Sequence, residues 1–212
     1  MLPFPQLFTY GNTIETAPVF LMTDFLTTAD IKDKGPYSIP VTNNGNIPVG
    51  ADAYGTYMNF TGLTTQWLEF ASTNLDIGEA EIRVKLSNFQ YRNTMYQNVI
   101  LDGRPYQTNG PYLNFAYTSN VTEPFQVYAN YNNNQTLYSE TINAASYPIE
   151  VILKIRTTGT SILINGVQVA SSSNTINFVN QQFKVGRNAF IATAAVPYLY
   201  AKVYHLEIRK YI

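Results

Sequence analysis

The sequence predicts an all-β domain, built either as a two-sheet antiparallel sandwich or as a closed barrel. Three observations lead there. Short runs of alternating apolar and polar residues recur along most of the 212 residues. Gly, Pro, Asn and Asp stand between nearly every pair of runs, and no segment keeps a 3.6-residue apolar period over three turns. With no linker and no fixed-period repeat, residues 18–212 read as one domain preceded by an arm at 1–17.

The arm differs from the rest of the chain. Leu2, Phe4, Leu7, Phe8 and Tyr10 are large and apolar, yet Pro3 and Pro5 bar a normal helix or a central strand. A disordered tail is the plain alternative; the expectation here is an arm held against another surface. Strand signals then come steadily. "PVFLMTDF" (18–25) reads as a buried strand, and "YGTYMNFTG" (54–62) and "QWLEFAS" (66–72) alternate. "GEAEIRVKLSNF" (78–89) puts Ile82, Val84 and Leu86 on one face and Glu81, Arg83 and Lys85 on the other. "QNVILDG" (97–103), "YLNFAYTS" (112–119), "FQVYANY" (125–131) and "YPIEVILKIRTTG" (147–159) continue the series, and "QFKVGR" (182–187) and "LYAKVYHLEIRKYI" (199–212) close it.

The plainest local signal is "TSILINGVQVASS" (160–172). Asn165-Gly166 suits a two-residue type I′ turn, whose central residues both need positive φ. Ile162 and Ile164 share a face, which Val167 and Val169 can continue across the turn.

Composition narrows the function. Apolar residues make up 45% of the chain and charged residues 13%, about half the usual charged share. Asn, Thr, Ser and Tyr cover the surface instead, which suits hydrogen bonding and packing against neighbours. With 13 basic and 14 acidic residues and no basic run, a nucleic-acid partner is not expected. No apolar run approaches the roughly 18 residues of a membrane span. The first residues lack a basic region followed by an apolar block, so no export signal is expected. Without cysteine there is no disulfide framework or thiolate metal site. Asn59, Asn120 and Asn134 head glycosylation triplets and are read as ordinary turn residues.

These pieces, taken in order, resemble the laminin-G-like branch of the concanavalin A-like lectin/glucanase superfamily. "VFLMTDF" looks like its opening strand. "YMNFTGLTTQWLEFAS", with Phe60, Gly62, Trp67 and Leu68, looks like its "xxFDGxxDYLxI" hairpin. "LDIGEAEIRVKL" resembles "FxxGxFTIExWVK" through Gly78, Glu81, Ile82, Val84 and Lys85. "ILINGVQVA", "FKVGR" and "AKVYHLEIRKY" resemble the "LxVNGxxVA" hairpin, the "lxIG" element and the closing "GxIxExRI" strand. The resemblance covers residues 18–212 and implies a two-sheet antiparallel jelly roll. It is a resemblance of scaffold, since these positions mostly hold such a sandwich together. A short chain of this type with a leading arm also looks like virion proteins of tailed bacteriophages.

The glucanase relatives carry an E-x-D-x-x-E strand whose carboxylates flank a glycosidic bond. Here Glu79 and Glu81 share a face without a third carboxylate, and Arg83 and Lys85 follow. A solvated face of complementary charges is the expectation, with no catalytic residue. His205, the one histidine, can neither build a multi-histidine metal site nor pair with a nucleophile elbow, so it is read as a packed or hydrogen-bonded sheet residue. Calcium, held at the sheet edge in many relatives, would draw on Asp24, Asp30, Asp33 and Asp52 with Asn43, Asn44 and Asn46. No D-x-D-x-D spacing is present and Lys32 and Lys34 intervene, so no cofactor is assigned.

Two functions stand against each other. The first is a non-enzymatic phage structural protein, a capsid decoration or fibre/tail component located in the virion. The arm (Leu2, Phe4, Leu7, Phe8, Tyr10) would fasten it to other virion proteins, and it would form a homo-oligomer. The alternative is a lectin-like adsorption module for host surface glycans. Its aromatic candidates are Tyr91, Tyr96, Tyr106, Tyr112 and Tyr131, in the loop-rich segments 88–98, 102–112 and 128–138. Tyr and Asn serve protein interfaces as well as sugars. A glycan hydrolase is a third reading and needs a carboxylate dyad in a cleft.

Overall fold

The computed structural model describes residues 16–71, 79–88, 97–103, 112–116, 125–132, 135–142, 147–173, 175, 182–187 and 199–212. In chain order, β1 (Thr16–Met22), β2 (Val41–Asn44), β3 (Val49–Asp52), β4 (Gly55–Thr61) and β5 (Trp67–Ala71) come first. Then come β6 (Ala80–Ser87), β7 (Gln97–Asp102), β8 (Tyr112–Ala116), β9 (Phe125–Asn132) and β10 (Gln135–Ile142). β11 (Ile149–Arg156), β12 (Gly159–Ile164), β13 (Val167–Ser172), β14 (Gln182–Val185) and β15 (Tyr200–Tyr211) complete the order.

The strands form two antiparallel sheets. The first runs β13-β12-β11-β6-β15-β4-β3, with β1 also paired to β15; the second runs β10-β9-β8-β7-β14-β5-β2. A sandwich forms rather than a barrel. The alternation seen in the sequence explains the packing: Ile82, Val84 and Leu86 of β6 and Val151, Leu153 and Ile155 of β11 are all buried inward. Phe20 from the first sheet stacks on Phe70 of the second at 4.2 Å, and Phe70 stacks on Phe183 at 5.1 Å. Aromatic stacking of this kind adds to area burial and pins one sheet on the other.

The hairpin forms as expected, with Asn165 at φ 50 and Gly166 at φ 81. Asn165 also moors its neighbour: its N–H donates to the Glu150 carbonyl at 2.8 Å, and the Glu150 N–H donates back to Asn165 Oδ1 at 2.9 Å. The apolar face does not continue through Val167, which is 66% exposed because it sits at the turn on an edge strand.

Several expectations are corrected. β1 starts at Thr16, so Thr16 and Ala17 belong to the sheet and not to the arm; they pair with Tyr211 and Lys210. Arg209 holds that start by donating to Thr16 Oγ1 and to the Thr16 carbonyl, both at 2.7 Å. β2, β3 and β10 had no counterpart in the sequence reading, and most of the segment 128–138 is the β9–β10 hairpin rather than loop. Asn59 lies within β4 and not in a turn; Asn120 and Asn134 lie outside the described residues.

Candidate functional site

β15 is bordered on one side by β6 along much of its length. On the other side it pairs with β4 up to Val203 and with β1 from Leu206 onward. Tyr204 and His205 fall in the interval, and among the described strands none pairs with them there. At the same point the register against β6 slips by one residue between Val203 and His205. This β-bulge turns Tyr204 and His205 together toward the outer face.

The split sheet leaves a recess of about 300 Å³, at the small end of ligand-binding cavities. Thr23 and Asp24, at the end of β1, form one lip; Tyr54, Gly55 and Thr56, at the β3–β4 turn, form the other. The two lips are tied together, because the Phe25 N–H donates to Thr56 Oγ1 at 2.9 Å. Lys34 braces the first lip by donating through Nζ to the carbonyls of Thr23 and Asp24 at 2.5 and 3.0 Å. Lys85, Glu150, Tyr204 and His205 line the rest. Register explains the row: Glu150 lies opposite Lys85, and Lys85 lies opposite His205, so three strands present them in line on one face.

Three charged side chains reach this recess, and Glu150 acts on Arg83 only through space. Among the described residues, the side chains of Asp24, Lys85 and Glu150 have no hydrogen-bond or ion-pair partner. Tyr54 contributes an aromatic ring that is 51% exposed. Among the described residues, His205 makes one side-chain polar contact, with Nε2 at 3.4 Å from Glu207 Oε2. It is thus hydrogen-bonded in a sheet, as its sequence context implied, and it also faces the recess, which that context did not show.

Tyr204 is fixed by a polar cluster beside the recess. Its hydroxyl donates to Asp52 Oδ2 at 2.8 Å and lies 3.1 Å from Ser87 Oγ, which can therefore donate to it. Lys202 Nζ donates to the same Asp52 oxygen at 2.8 Å and sits 4.5 Å over the Tyr57 ring. Partial burial pushes the Asp52 carboxyl up, but hydrogen bonds from Lys202, the Tyr54 N–H and Tyr204 outweigh it and hold the pKa below its usual value. The Asp52 hydrogen bond raises the Lys202 pKa in turn.

The paired glutamates behave otherwise. Glu81 is 3% exposed, so the face is not solvated as expected. Its carboxylate accepts from Arg83 at 2.7 Å and from the Tyr211 hydroxyl at 2.7 Å, with Lys154 Nζ at 3.5 Å. Desolvation raises its pKa, yet these donors more than compensate and it is lowered. Glu79 accepts from the Thr157 N–H at 2.6 Å and from Thr157 Oγ1, with Arg156 at 3.7 Å. Both carboxylates are held by fixed donors.

Three of the four acids named for calcium are likewise engaged. Asp33 is buried and accepts the N–H groups of Leu21, Gly35 and Ile39 at 2.7–2.8 Å, organising the chain after β1. Asp30 accepts from the Thr27 N–H and hydroxyl, and Asp52 is held as above. Asn43 Oδ1 accepts the Ile47 N–H, and Asn44 pairs with Trp67 in the sheet. Among the described residues no group of three or more metal-ligating side chains occurs. The arm residues Leu2, Phe4, Leu7, Phe8 and Tyr10, and the tyrosines Tyr91, Tyr96 and Tyr106, lie outside the described residues. Tyr112 and Tyr131 fall in β8 and β9, where the backbone alone is described.

No protein-family model matches the chain, and no curated protein matches it by sequence. Solved structures do. Domain 4 of AbnA, a GH43 extracellular arabinanase from Geobacillus stearothermophilus, in complex with arabinotriose, is similar with a TM-score of 0.65 and 11% identity, over 93% of this chain and 94% of that one. The binding domain of botulinum neurotoxin serotype D/C VPI 5993 is similar with a TM-score of 0.63 and 12% identity, over 92% of this chain and 49% of that one. The binding domain of botulinum neurotoxin DC in complex with SialylT gives 0.64 and 10%, over 92% and 48%. The chain thus spans nearly all of the arabinanase domain and about half the length of the neurotoxin domains. At these identities the likeness is one of fold, a β-sandwich.

Proposed function

We propose that this chain is a non-enzymatic, lectin-like carbohydrate-binding module that holds a hydroxyl-rich ligand in the recess where β1 and β4 part on β15. One observation carries the reading: Asp24, Lys85 and Glu150 converge on the recess with no hydrogen-bond or ion-pair partner for their side chains among the described residues, beside an exposed tyrosine ring. Asp24 is exposed and Lys85 and Glu150 are half-buried, so water reaches all three, and a ligand that both donates and accepts hydrogen bonds can take that water's place. Sugar hydroxyls do both, and the mixture of acid and base favours a neutral sugar over an ion. The arabinanase domain in complex with arabinotriose, similar over nearly the whole of both chains, supports the same reading.

Binding without cleavage is part of this reading, and what supports it lies outside the recess. Glu79 and Glu81, the glucanase-like pair, are neutralised by Arg156, Arg83 and Lys154 and have no free proton to give. The virion role expected from the sequence rests on the arm and on resemblance; within this proposal, a particle is one place such a module could serve.

The test is a glycan array with the purified chain, followed by titration of any ligand found. Lys85→Met and Glu150→Gln should each weaken binding about tenfold, as expected for a lost charged hydrogen bond. No reducing ends should appear on prolonged incubation with the bound glycan. Absence of any glycan ligand, or unchanged affinity in both variants, would refute the proposal.

A further inference from the structure

A second hollow of about 330 Å³ opens on the same outer face, lined by Asn59, Asn88, Tyr200, Ala201 and Lys202. It sits toward the start of β15, where Lys202 lies opposite Asn59 of β4 on one side and Ser87 of β6 on the other. The first recess and this hollow are separated along β15 by Lys202 and Tyr204, both locked onto Asp52. Between the far ends of the two linings, Tyr200 and His205, the strand rises by about 17 Å, and between the near ends, Lys202 and Tyr204, by about 7 Å. A single sugar ring cannot occupy both places.

The chemistry of the second hollow matches that of the first in kind. Among the described residues the side-chain amides of Asn59 and Asn88 have no hydrogen-bond partner. Each offers two donors and an acceptor, the pattern that reads vicinal hydroxyls. Lys202 gives one hydrogen bond to Asp52 and keeps two donors for the hollow. Asn88 is placed by its backbone, with φ at 51 just past the end of β6. The ridge between the hollows is stiff: Tyr57 meets Tyr204 edge-on at 5.5 Å, and Lys202 caps Tyr57. Two sites on one rigid strand keep a fixed separation, so a ligand that reaches both gains affinity without ordering the protein.

We infer that the two hollows are subsites of one track along β15, and that the ligand is an oligosaccharide long enough to bridge the Lys202–Tyr204 ridge. This rests on the carbohydrate-binding reading of the first recess and specifies the length class of its ligand. Asn59, Asn88 and Lys202 take the distal sugar; Lys85, Glu150 and Asp24 take the proximal one.

The experiment is calorimetric titration with size ladders, from one to six units, of neutral arabinan, glucan, xylan and galactan oligosaccharides. Affinity should rise about tenfold or more between the monosaccharide and the length that spans the ridge, then level off. The double variant Asn59→Ser/Asn88→Gly, in which glycine tolerates the positive φ, should lose that gain yet bind the monosaccharide as the parent does. Thermal melting of the variant checks that it is folded, and Asn59→Ser alone serves as a milder version. Affinity independent of length, or a length gain that survives the double variant, overturns the track while leaving the first recess as a binding site. Absence of binding to every ladder and on the glycan array overturns the carbohydrate reading itself.

Discussion

The outer face of the first sheet holds two regions built from the same residue types with opposite outcomes. Toward the end of β15, Glu81, Arg83, Lys154, Glu207 and Arg209 neutralise one another, with Tyr211 donating to Glu81 and stacked under Arg156 at 3.4 Å. Farther back along the sheet, level with His205, Lys85 and Glu150 face each other across the β6–β11 pair and do not join. The difference is the course of the neighbouring strand. Where β1 runs beside β15, the charged side chains are crowded and half-dry, so they must pair. Where β1 and β4 separate, the sheet opens and the same side chains reach into a hollow. Charge on a strand face is therefore not by itself a signal of function; the proposed site rests on charge left unpaired where the sheet breaks.

The contrast can be broken most severely at Glu81. Glu81→Ala removes a buried carboxylate and leaves Arg83, Lys154 and the Tyr211 hydroxyl without their acceptor, a loss of about 3 kcal/mol or more. Urea unfolding should show it, whereas Glu150→Gln in the open region should stay within about 0.5 kcal/mol of the parent. Equal costs at the two positions would erase the distinction.

Acid sharpens it next. Glu207 is pushed up by burial but pulled down further by His205 and Arg209, so both Glu207 and Glu81 have lowered folded pKa values. A carboxylate with a depressed folded pKa contributes stability above its unfolded value, near 4.5, and loses it as pH falls through the folded value. Urea midpoints should hold above about pH 5 and fall steadily below it. Glu81→Gln/Glu207→Gln should flatten that slope, and Lys85→Met should leave it intact.

Gly166→Ala is the smallest of these. Open space surrounds the position, so the cost is the positive φ alone, about 1 kcal/mol. Because Asn165 moors Glu150, the same change should weaken ligand binding modestly while leaving the acid slope untouched. Thermal melting and titration separate the two effects.

Much of the sandwich was legible. β6, β11 and the β12–β13 hairpin announce themselves by clean alternation and an Asn-Gly turn. β2 ("VTNN") and β3 ("VGAD") did not, because four-residue strands rich in Asn, Gly and Asp look like the loops they adjoin. The recess had one readable mark. In "AKVYHLEI" the buried residues Ala201, Val203, Leu206 and Ile208 belong to the core, so the apolar phase slips by one between 203 and 206. That slip is the bulge that aims Tyr204 and His205 outward. The parting of β1 from β4 had no such mark, since pairing partners more than a hundred residues apart are set by topology and not by local pattern.

Thr16 sits opposite Tyr211, so the described chain enters and leaves the sandwich at adjacent points. Tyr211 stands beyond His205 on β15, a rise of about 20 Å. A segment joined ahead of β1 and one joined behind β15 would both depart from that far corner. The domain can be tethered there, or inserted into a larger body like a bead on a doubled thread.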